Sequence, residues 1–267
     1  MLGNKDIKVS IAIPTYNSSK YLHSCLKSFL KFKAVNEIII HDDYSSLEEY
    51  KKIKNIANKL SNKANIEVYR NKSNLGAYKN KYKNIEKCSN DLVYQIDSDN
   101  IIASNFDKVI ESIYIEKNLN CLYLPSEIIQ FRKYPFIAKQ LSKFNNRYKV
   151  TFTKNDFIFD TEVFKKAIRD EARFTVDKNI NWVLNSGNFI VYKNNYLDAM
   201  KFGFNTNKRY QMDAVAISYF WIKSKGIIKT LKNHKHFHRK RLDSVSFVES
   251  DGSYEFLQDI RRKFLDL

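Results

Sequence analysis

Two carboxylates one residue apart follow a largely apolar segment in the first half of the chain. The segment 92–96 is predicted to be a strand, and Asp97-Ser98-Asp99 comes directly after it. In open α/β sheets, ligands bind beyond the carboxyl ends of the strands. Two hard oxygen ligands at this place suit Mg²⁺ or Mn²⁺ holding phosphate oxygens. An Asx-turn leading to a helix capped by Ser104 is the structural alternative.

Three more polar clusters follow the other strands predicted for this part of the chain. Carboxyl ends of neighbouring parallel strands lie at one edge of a sheet, so the four clusters are expected to share a rim. A purely structural protein has no need to place acids there. The three clusters are Pro14-Thr15-Tyr16-Asn17, Asp42-Asp43-Tyr44-Ser45-Ser46 and Asn74-Leu75-Gly76-Ala77-Tyr78.

A histidine cluster lies near the C-terminus. His234, His236 and His238 alternate, so an extended backbone would direct all three to one face. One of them could complete the shell of a metal ion. Arg239 and Arg241 could hold a diphosphate through paired hydrogen bonds. A basic surface loop is the structural alternative, and a zinc site lacks cysteine or acidic partners nearby.

The elements that would position these residues alternate between strand and helix over the first 125 residues. Strands alternating with helices imply a mainly parallel sheet with helices on both faces. Apolar runs predict strands at 9–13, ended by Pro14, and at 37–41, 66–69, 92–96 and 121–124. Helical spacing of apolar residues predicts helices at 19–33, 47–60, 76–88 and 104–117.

The second half of the chain is less regular. Residues 126–182 are rich in Phe, Tyr and Lys. Beyond them the pattern predicts strands at 186–192 and 227–231, a helix at 210–224 and a final helix at 253–266. We therefore predict a half at 1–125 in which strands and helices alternate, and a region at 126–267 that completes the same core and ends in a helix.

Composition narrows the class of protein. The chain has 267 residues, a net charge of +17 and 43% hydrophobic residues, which excludes disordered and collagen-like classes. No apolar run is long enough to span a bilayer, and the N-terminus lacks a signal-peptide core, so a cytoplasmic protein is expected. The three cysteines show no metal-binding or disulfide spacing.

In their order and spacing, the segments 8–17, 37–46, 74–80 and 95–100 resemble the donor-binding half of glycosyltransferase family 2. That family has the GT-A fold, uses nucleotide-sugars and inverts the anomeric centre. The resemblance implies an α/β fold with a Rossmann-like, mainly parallel central sheet flanked by helices. It also implies that residues 1–125 bind the nucleotide-sugar donor and that the irregular α+β region at 126–267 binds the acceptor and carries the catalytic base.

The resemblance implies that the rim binds a nucleotide-sugar, with UDP favoured. Tyr16 would stack on the base and Pro14 would line it. Asp43, with Asp42 as the alternative, would accept a hydrogen bond from N3–H of uracil. Lys79 is near enough in sequence to reach a phosphate. The residues that would bind the nucleotide-sugar are Pro14, Tyr16, Asn17, Asp42, Asp43, Asn74, Gly76, Lys79, Asp97, Ser98 and Arg239.

The resemblance also implies a Mn²⁺ or Mg²⁺ ion. Asp99 would be the direct ligand, Asp97 would lie near the ribose and the metal, and His238 would complete the protein ligands. His234 or His236 could replace His238 if the register differs. Imidazole nitrogen is softer than oxygen, so a preference for Mn²⁺ is expected.

The family's catalytic base is an Asp at the start of a helix, often preceded by Glu. Asp213 matches this place, although Met212 departs from the acidic pair. As the base, Asp213 would take the proton of the attacking hydroxyl. Weaker alternatives are Asp177, Asp198 and Glu171.

The sequence does not identify the acceptor, which would be a glycan, a lipid or a protein. The aromatic and basic stretch at 134–139 is compatible with peripheral membrane contact. The alternative function is a nucleic-acid or anionic-surface binding protein, supported by the charge, but rim acids would repel phosphates, so no nucleic acid is expected. A nucleotidyltransferase is disfavoured because residues 14–20 contain no glycine.

Overall fold

A computed structural model of the chain describes residues 7–102, 105–132, 140, 149–151, 157–169, 183–206, 210, 212–240, 259–260 and 262–267. Several predictions lie outside the described residues: Ser104, the stretch 134–139, Glu171, Asp177, Arg241 and most of the helix expected at 253–266. The remaining predictions are compared with the structure below.

Strands and helices alternate along the described residues. The strands are β1 (Val9–Thr15), β2 (Val35–Asp42), β3 (Asn65–Arg70), β4 (Leu92–Gln95), β5 (Ile101–Ile102), β6 (Cys121–Phe131), β7 (Lys149–Thr151), β8 (Ile158–Phe159), β9 (Phe189–Tyr192) and β10 (Ile227–Arg239). The helices are α1 (Ser19–Phe29), α2 (Leu47–Leu60), α3 (Ala77–Lys87), α4 (Phe106–Glu116), α5 (Thr161–Arg169), α6 (Lys193–Asn205) and α7 (Asp213–Lys223).

One sheet runs through the molecule in the order β3-β2-β1-β4-β9-β6-β10-β5, with β7 beside β6 and β8 beside β10. The strands β3, β2, β1 and β4 are parallel, as are β6 and β10. β9 lies antiparallel between β4 and β6. The prediction of a mainly parallel sheet flanked by helices is confirmed, and the parallel strands direct their carboxyl ends to the rim where the polar clusters lie.

Helices cover both faces of the sheet, because successive strand residues direct apolar side chains to opposite faces. In β1, Ile11 and Ile13 pack with α1, α2 and α4 in one core, whereas Ala12 belongs to the other core with α3, α6 and α7. α7 is buried along its length from Val215 to Ile222. The first residue of α7 is therefore carried by a helix held inside the protein.

Three predicted boundaries in the donor half were wrong. The first helix ends at Phe29 rather than at residue 33. β1 does not end at Pro14 but continues to Thr15. Beyond Ala12, β1 pairs only with β2. No residue of β4 therefore requires a hydrogen bond from the backbone N–H that Pro14 lacks. The fourth helix begins at Phe106, with Asn105 at its N-cap, rather than at a cap formed by Ser104.

The predicted strands at 121–124 and 227–231 were much too short. β6 continues to Phe131 and β10 to Arg239, and the two strands pair in parallel along this extension. A register shift between Leu231 and Lys235 interrupts the pairing. The histidine cluster therefore lies in a strand that pairs with neighbours on both sides, and the basic surface loop is excluded.

Within the described residues, no helix is both long enough and apolar enough to cross a membrane.

Candidate active site

Hydrogen bonds between side chains tie the loop after β1 to its neighbours at the rim. Ser18 Oγ lies 2.7 Å from both Thr15 Oγ1 and Ser98 Oγ, which links this loop to the one after β4. Asn17 connects to the loop after β2, because its backbone N–H donates to Ser45 Oγ at 2.8 Å. These contacts hold three strand ends together, and Ser98 is buried in this network.

Asp43 organises the turn that precedes α3. Its carboxylate accepts hydrogen bonds from Asn71 Nδ2 and from the backbone N–H groups of Leu75 and Gly76, each at 2.8 Å. Gly76 has a φ of 85°, a value that favours glycine, and it stands at the N-cap of α3. Asn74 Nδ2 adds a bond of 3.2 Å to the Asp43 carbonyl oxygen. Asp43 is thus buried and fixes the loop expected to close over a nucleotide.

Asp42 is also buried, and its partners are protein groups. Ser45 donates to it from both its backbone N–H and its hydroxyl, and Arg70 Nε lies 3.3 Å from Oδ2. Burial raises the pKa of Asp42, and the bonds from Ser45 and the charge of Arg70 oppose that rise. The Asp42 carboxylate therefore stabilises the loop after β2 through its contacts with Ser45 and Arg70.

Two tyrosine rings stand open at this rim. Tyr16, predicted to stack on the base, is 47% exposed, and Tyr44 is 51% exposed. Sequence reasoning named Tyr44 only as part of a cluster. The Arg70 guanidinium lies 5.0 Å from the centre of the Tyr44 ring, which holds that ring in place. Pro14 is buried beneath this surface.

One buried ammonium joins the acid after β4 to the acid that begins α7. Lys81 Nζ lies 3.0 Å from Asp97 Oδ1 and 2.7 Å from Asp213 Oδ2. It also donates to the Gly187 carbonyl oxygen at 3.3 Å. The Lys81 side chain is only 4% exposed, whereas the side chains of Asp97 and Asp213 are 36% and 23% exposed. The predicted donor-side acid and the predicted base therefore belong to one ion-pair cluster.

Electrostatics keep Lys81 charged. Burial on its own would lower the pKa of Lys81, but the carboxylates of Asp213 and Asp97 outweigh it and raise the pKa above its usual value. Burial raises the pKa of Asp97, and the Lys81 charge opposes that rise. Because Lys81 stays protonated at any physiological pH, it is a permanent positive charge between the two acids.

Residues of the loop before β9 and of β10 hold the backbone of Asp97 in place. The backbone N–H of Asp97 donates to Asn188 Oδ1 at 2.7 Å, and Asn188 Nδ2 lies 3.4 Å from His236 Nε2. Both Asn188 and His236 are buried. His236 thus acts on Asp97 through Asn188, which makes it a positioning group at this site.

The three alternating histidines differ in burial. His234 and His236 are both fully buried, and the His234 ring lies 5.4 Å from the Tyr94 ring. His238 is half-buried at the end of β10, where the charges of Asp99 and Asp97 act on it. Burial lowers the pKa of His238, so its imidazole is mainly neutral at pH 7. Among the three, His238 is the one that reaches the rim.

A metal ion would have to be held by groups around Asp99. Among the described residues, no three His, Cys, Asp or Glu side chains are close enough together to form a metal site. Asp97 Oδ1 is paired with Lys81. The chemistry of the set still fits a divalent cation, because Asp99 supplies a carboxylate and His238 a neutral imidazole at the same strand ends.

Arg239 packs against the loop that carries Asp99. Its guanidinium lies 4.7 Å from the Tyr21 ring and 4.4 Å from the Phe131 ring. Its Nε donates to the Asp99 carbonyl oxygen at 3.2 Å, and its backbone N–H donates to Asn100 Oδ1 at 3.1 Å. In this arrangement Arg239 braces the loop after β4.

Lys79 and Lys81 leave α3 on different sides, since residues two apart on a helix differ by about 200°. Lys79 Nζ donates to the Thr206 carbonyl oxygen at 2.6 Å, near the end of α6. The structure therefore brings Lys81, and not Lys79, to the acids. Sequence reasoning missed Lys81, and the only signal was its spacing of two residues from Lys79 within a lysine-rich segment.

The buried histidines predict how stability depends on pH. Burial lowers the pKa of His234 to about 3, against about 6.5 in an unfolded chain. The folded protein then resists protonation where the unfolded chain accepts it, so stability falls as the pH falls below about 6.5. Between about pH 7 and pH 5, His234 should contribute a loss of about 2 kcal/mol in the free energy of unfolding.

His234→Asn should remove that contribution, so urea unfolding at both pH values should show a smaller loss than in the wild-type protein. The raised pKa values of Asp42 and Asp97 act in the opposite direction, but they are present in both proteins and cancel in the comparison. An identical pH dependence in the two proteins would contradict the prediction.

The family model of Glycosyl transferase family 2 matches residues 10–166, which is more than half of the chain. No curated protein sequence matches this chain. The matched residues include all four rim clusters and Lys81, together with β6 up to Phe131.

Solved structures show the same fold. A crystal structure of residues 1–349 of S. aureus TarS in complex with UDP-GlcNAc is 17% identical, with a TM-score of 0.61, and the match covers 97% of this chain and 70% of that one. GalNAc-T7 with UDP, GalNAc and Mn²⁺ is 16% identical, with a TM-score of 0.60, covering 88% of this chain and 44% of the other. With a family match over more than half its length and a mainly parallel sheet that gathers the acids at one rim, the chain belongs to glycosyl transferase family 2 and is a glycosyltransferase.

Proposed function

We propose that this glycosyltransferase transfers a sugar from a UDP-sugar to a hydroxyl of a glycan, lipid or protein acceptor, with inversion at the anomeric carbon. One observation carries the proposal: Asp97 and Asp213 contact the same buried ammonium. Asp97 belongs to the donor side, and Asp213 begins a helix in the acceptor region. Because both acids contact Lys81, they lie close together, which supports a site where donor and acceptor react.

In the proposed reaction the acceptor hydroxyl oxygen attacks the anomeric carbon from the side opposite the diphosphate. The bond between that carbon and the β-phosphate oxygen breaks, and its electron pair leaves with UDP. The hydroxyl proton passes to the carboxylate of Asp213. Asp213 suits this role because its carboxylate begins α7 close to the donor-side Asp97 and because part of it faces solvent.

UDP binding is proposed at the open face formed by the loops after β1, β2 and β3. Tyr16 offers an exposed ring for stacking on the base, above the buried Pro14. Asn17 and Asn74 fix the flanking loops, and the turn at Gly76 allows close approach of the nucleotide. The crystal structures of TarS and GalNAc-T7 were determined with UDP-containing ligands, which supports a uridine donor.

A divalent cation is proposed beside Asp99 and His238, with Asp97 next to it. When bound, it would neutralise charge that develops on the departing diphosphate. Asp99 and Asp97 emerge together from the end of β4, and Arg239 holds the Asp99 backbone in place. The GalNAc-T7 structure contains Mn²⁺, which supports this assignment.

The proposed function is tested by incubating the purified chain with a panel of UDP-, GDP- and CDP-sugars, with Mn²⁺ or Mg²⁺. Released nucleoside diphosphate is the readout, because hydrolysis of the donor does not require a known acceptor. Release of UDP alone is expected. Release of only GDP or CDP would contradict the uridine assignment, and release from none of the donors would contradict the proposed function.

The buried carboxylate of Asp43 leads to a separate prediction. Asp43→Ala leaves the backbone N–H groups of Leu75 and Gly76 without their acceptor, and each unsatisfied buried group costs about 1–3 kcal/mol. The turn before α3 should loosen, so both the free energy of unfolding and the affinity for UDP should fall. Urea unfolding and calorimetry with UDP measure the two effects.

The matched control for Asp43→Ala is Asp91→Ala, which removes an exposed acid at the other end of the same sheet. It should change neither property measurably. Normal stability with weakened UDP binding in Asp43→Ala would show that Asp43 contacts the base directly instead of supporting the turn. Normal values of both would contradict any role for this carboxylate.

A further inference from the structure

We infer that Lys81 is a positioning residue for the transfer reaction, which holds the base Asp213 and the donor-side Asp97 in a fixed relation. The inference rests on the proposed function, since it takes Asp213 as the base. It adds a residue that the rim motifs do not contain and that reaches the site from the middle of α3.

The contacts of Lys81 bring three acceptors around one ammonium. An ammonium has three donors, and Lys81 Nζ faces three acceptors: Asp97 Oδ1 at 3.0 Å, Asp213 Oδ2 at 2.7 Å and the Gly187 carbonyl oxygen at 3.3 Å. The three acceptors come from different parts of the chain. Lys81 therefore fixes the loop after β4, the start of α7 and the loop before β9 relative to one another.

Burial makes this arrangement more than an ordinary surface ion pair. Lys81 is 4% exposed, so its charge is shielded little by water. Without that charge, the partly exposed carboxylates of Asp97 and Asp213 would face each other across the space that the ammonium fills, and their mutual repulsion would drive them apart. The position of the base relative to the donor thus depends on Lys81.

The same contacts distinguish the two oxygens of Asp213. Oδ2 is committed to the ammonium, so Oδ1 is the oxygen assigned to take the proton of the acceptor hydroxyl. Lys81 does not exchange a proton in this step, because its neighbours hold its pKa above the usual value. Its part is to orient the carboxylate and to keep one oxygen directed away from the acceptor.

Gly187 leaves the space that the Lys81 ammonium and the Asp97 carboxylate occupy. A methyl group at this position would lie 2.8 Å from Lys81 Nζ and 3.1 Å from Asp97 Oδ2. Both distances are shorter than ordinary contacts to carbon, so any side chain here would displace the ammonium or the carboxylate. Only glycine leaves room for the pair, which gives a second way to disturb the cluster without touching Lys81.

The main test uses Lys81→Met in the full chain, measured for transfer and for UDP binding in the presence of Mn²⁺. We expect kcat to fall by about 10²-fold or more, since general-base catalysis depends on the placement of the base. The affinity for UDP should stay within about threefold. Lys81→Arg keeps a cation within reach of both acids and should restore much of the lost rate.

The matched control is Lys83→Met, which removes a lysine two residues further along α3 on another side of the helix. Its kcat should be that of the wild-type protein. Gly187→Ala should resemble Lys81→Met, with a lower kcat and a nearly unchanged UDP affinity. If Lys81→Met does not fold, Gly187→Ala tests the inference instead, with Lys83→Met as its control.

A double substitution shows whether Lys81 acts through Asp213. In the Asp213→Asn background, Lys81→Met should lower transfer by less than about threefold further, because the group it positions is already disabled. Independent, multiplicative losses would overturn the inference. So would a loss confined to UDP affinity with normal kcat, which would make Lys81 a donor-binding residue.

Urea unfolding separates this inference from the proposed function. It is measured for the wild-type protein, Lys81→Met, Asp213→Asn and the variant that carries both substitutions. The ion pair predicts that the two substitutions are not additive in stability, whatever the protein catalyses. Additive effects on stability would contradict the contact itself. If the contact is found but no donor is consumed, the proposed function fails; if transfer is found and Lys81→Met retains normal kcat, only the inference fails.

Discussion

Asp213→Asn is expected to lower sugar transfer by about 10²–10⁴-fold, the usual contribution of a general base. Asparagine keeps the shape of the side chain but cannot take up the proton of the attacking hydroxyl. The acceptor is engaged only at this step, so donor binding should not need Asp213. The affinity for UDP and its dependence on Mn²⁺ should therefore stay close to those of the wild-type protein. Steady-state transfer rates and calorimetry measure the two properties.

Asp198→Asn is the matched control, because Asp198 was an alternative base in the sequence. The structure puts Asp198 beside Gly226, past the C-terminal end of α7, whereas Asp213 begins that helix. A helix of 11 residues is about 16 Å long, so the two acids are far apart. Asp198→Asn should transfer sugar normally. Near-normal turnover in Asp213→Asn, or a product with retained anomeric configuration, would contradict the proposed mechanism.

The donor half was predictable because its local signals agree with its tertiary contacts. The helix predicted at 47–60 is observed as Leu47–Leu60. Ser46 caps it, accepting a hydrogen bond from the Glu49 N–H, and Ile53 and Leu60 fall on the buried side. Apolar strands and short polar loops likewise located the rim, so the positions of its acids could be read from the sequence.

The full lengths of the strands β6 and β10 could not be predicted from local sequence in this way. Residues 232–236 are Lys-Asn-His-Lys-His, which lack the apolar character of a buried strand. They belong to β10 because this strand pairs with β6, on both sides of the register shift, across more than a hundred residues of chain. Such pairing is a tertiary effect that outweighs local propensity. The alternation of the histidines was nevertheless informative once an extended backbone was assumed.

Lys81 illustrates the other limit of sequence reasoning. It is one of many lysines in a chain with a charge of +17, and its own segment contains Lys79 and Lys83 as well. Only the packing of α3 between β1 and the start of α7 distinguishes the buried lysine from its neighbours. A charged residue is recognised as part of a site through its partners, and those partners lie 16 and 132 residues away in sequence.

Asp99→Asn is expected to remove the dependence of UDP binding and transfer on a divalent cation. A metal-bound diphosphate leaving group gains several kcal/mol of stabilisation, so transfer should fall by at least about 10²-fold, as it should in wild-type protein treated with EDTA. A diphosphate next to Asp97 and Asp99 is repelled unless a cation lies between them. In the wild-type protein, calorimetry should therefore show tighter UDP binding with Mn²⁺ than with EDTA.

Asp99→Asn should bind UDP equally weakly under both conditions, because an amide is a poorer cation ligand than a carboxylate. The control is Glu111→Gln on the exposed side of α4, which should keep the Mn²⁺ effect. The fold should survive, since the substitution keeps the Asp99 carbonyl oxygen that accepts the hydrogen bond of Arg239. If wild-type protein binds UDP equally well with Mn²⁺ and with EDTA, the acids at the end of β4 do not hold a metal. The pairing of Asp97 with Lys81 would then be the charge balance on which the site depends.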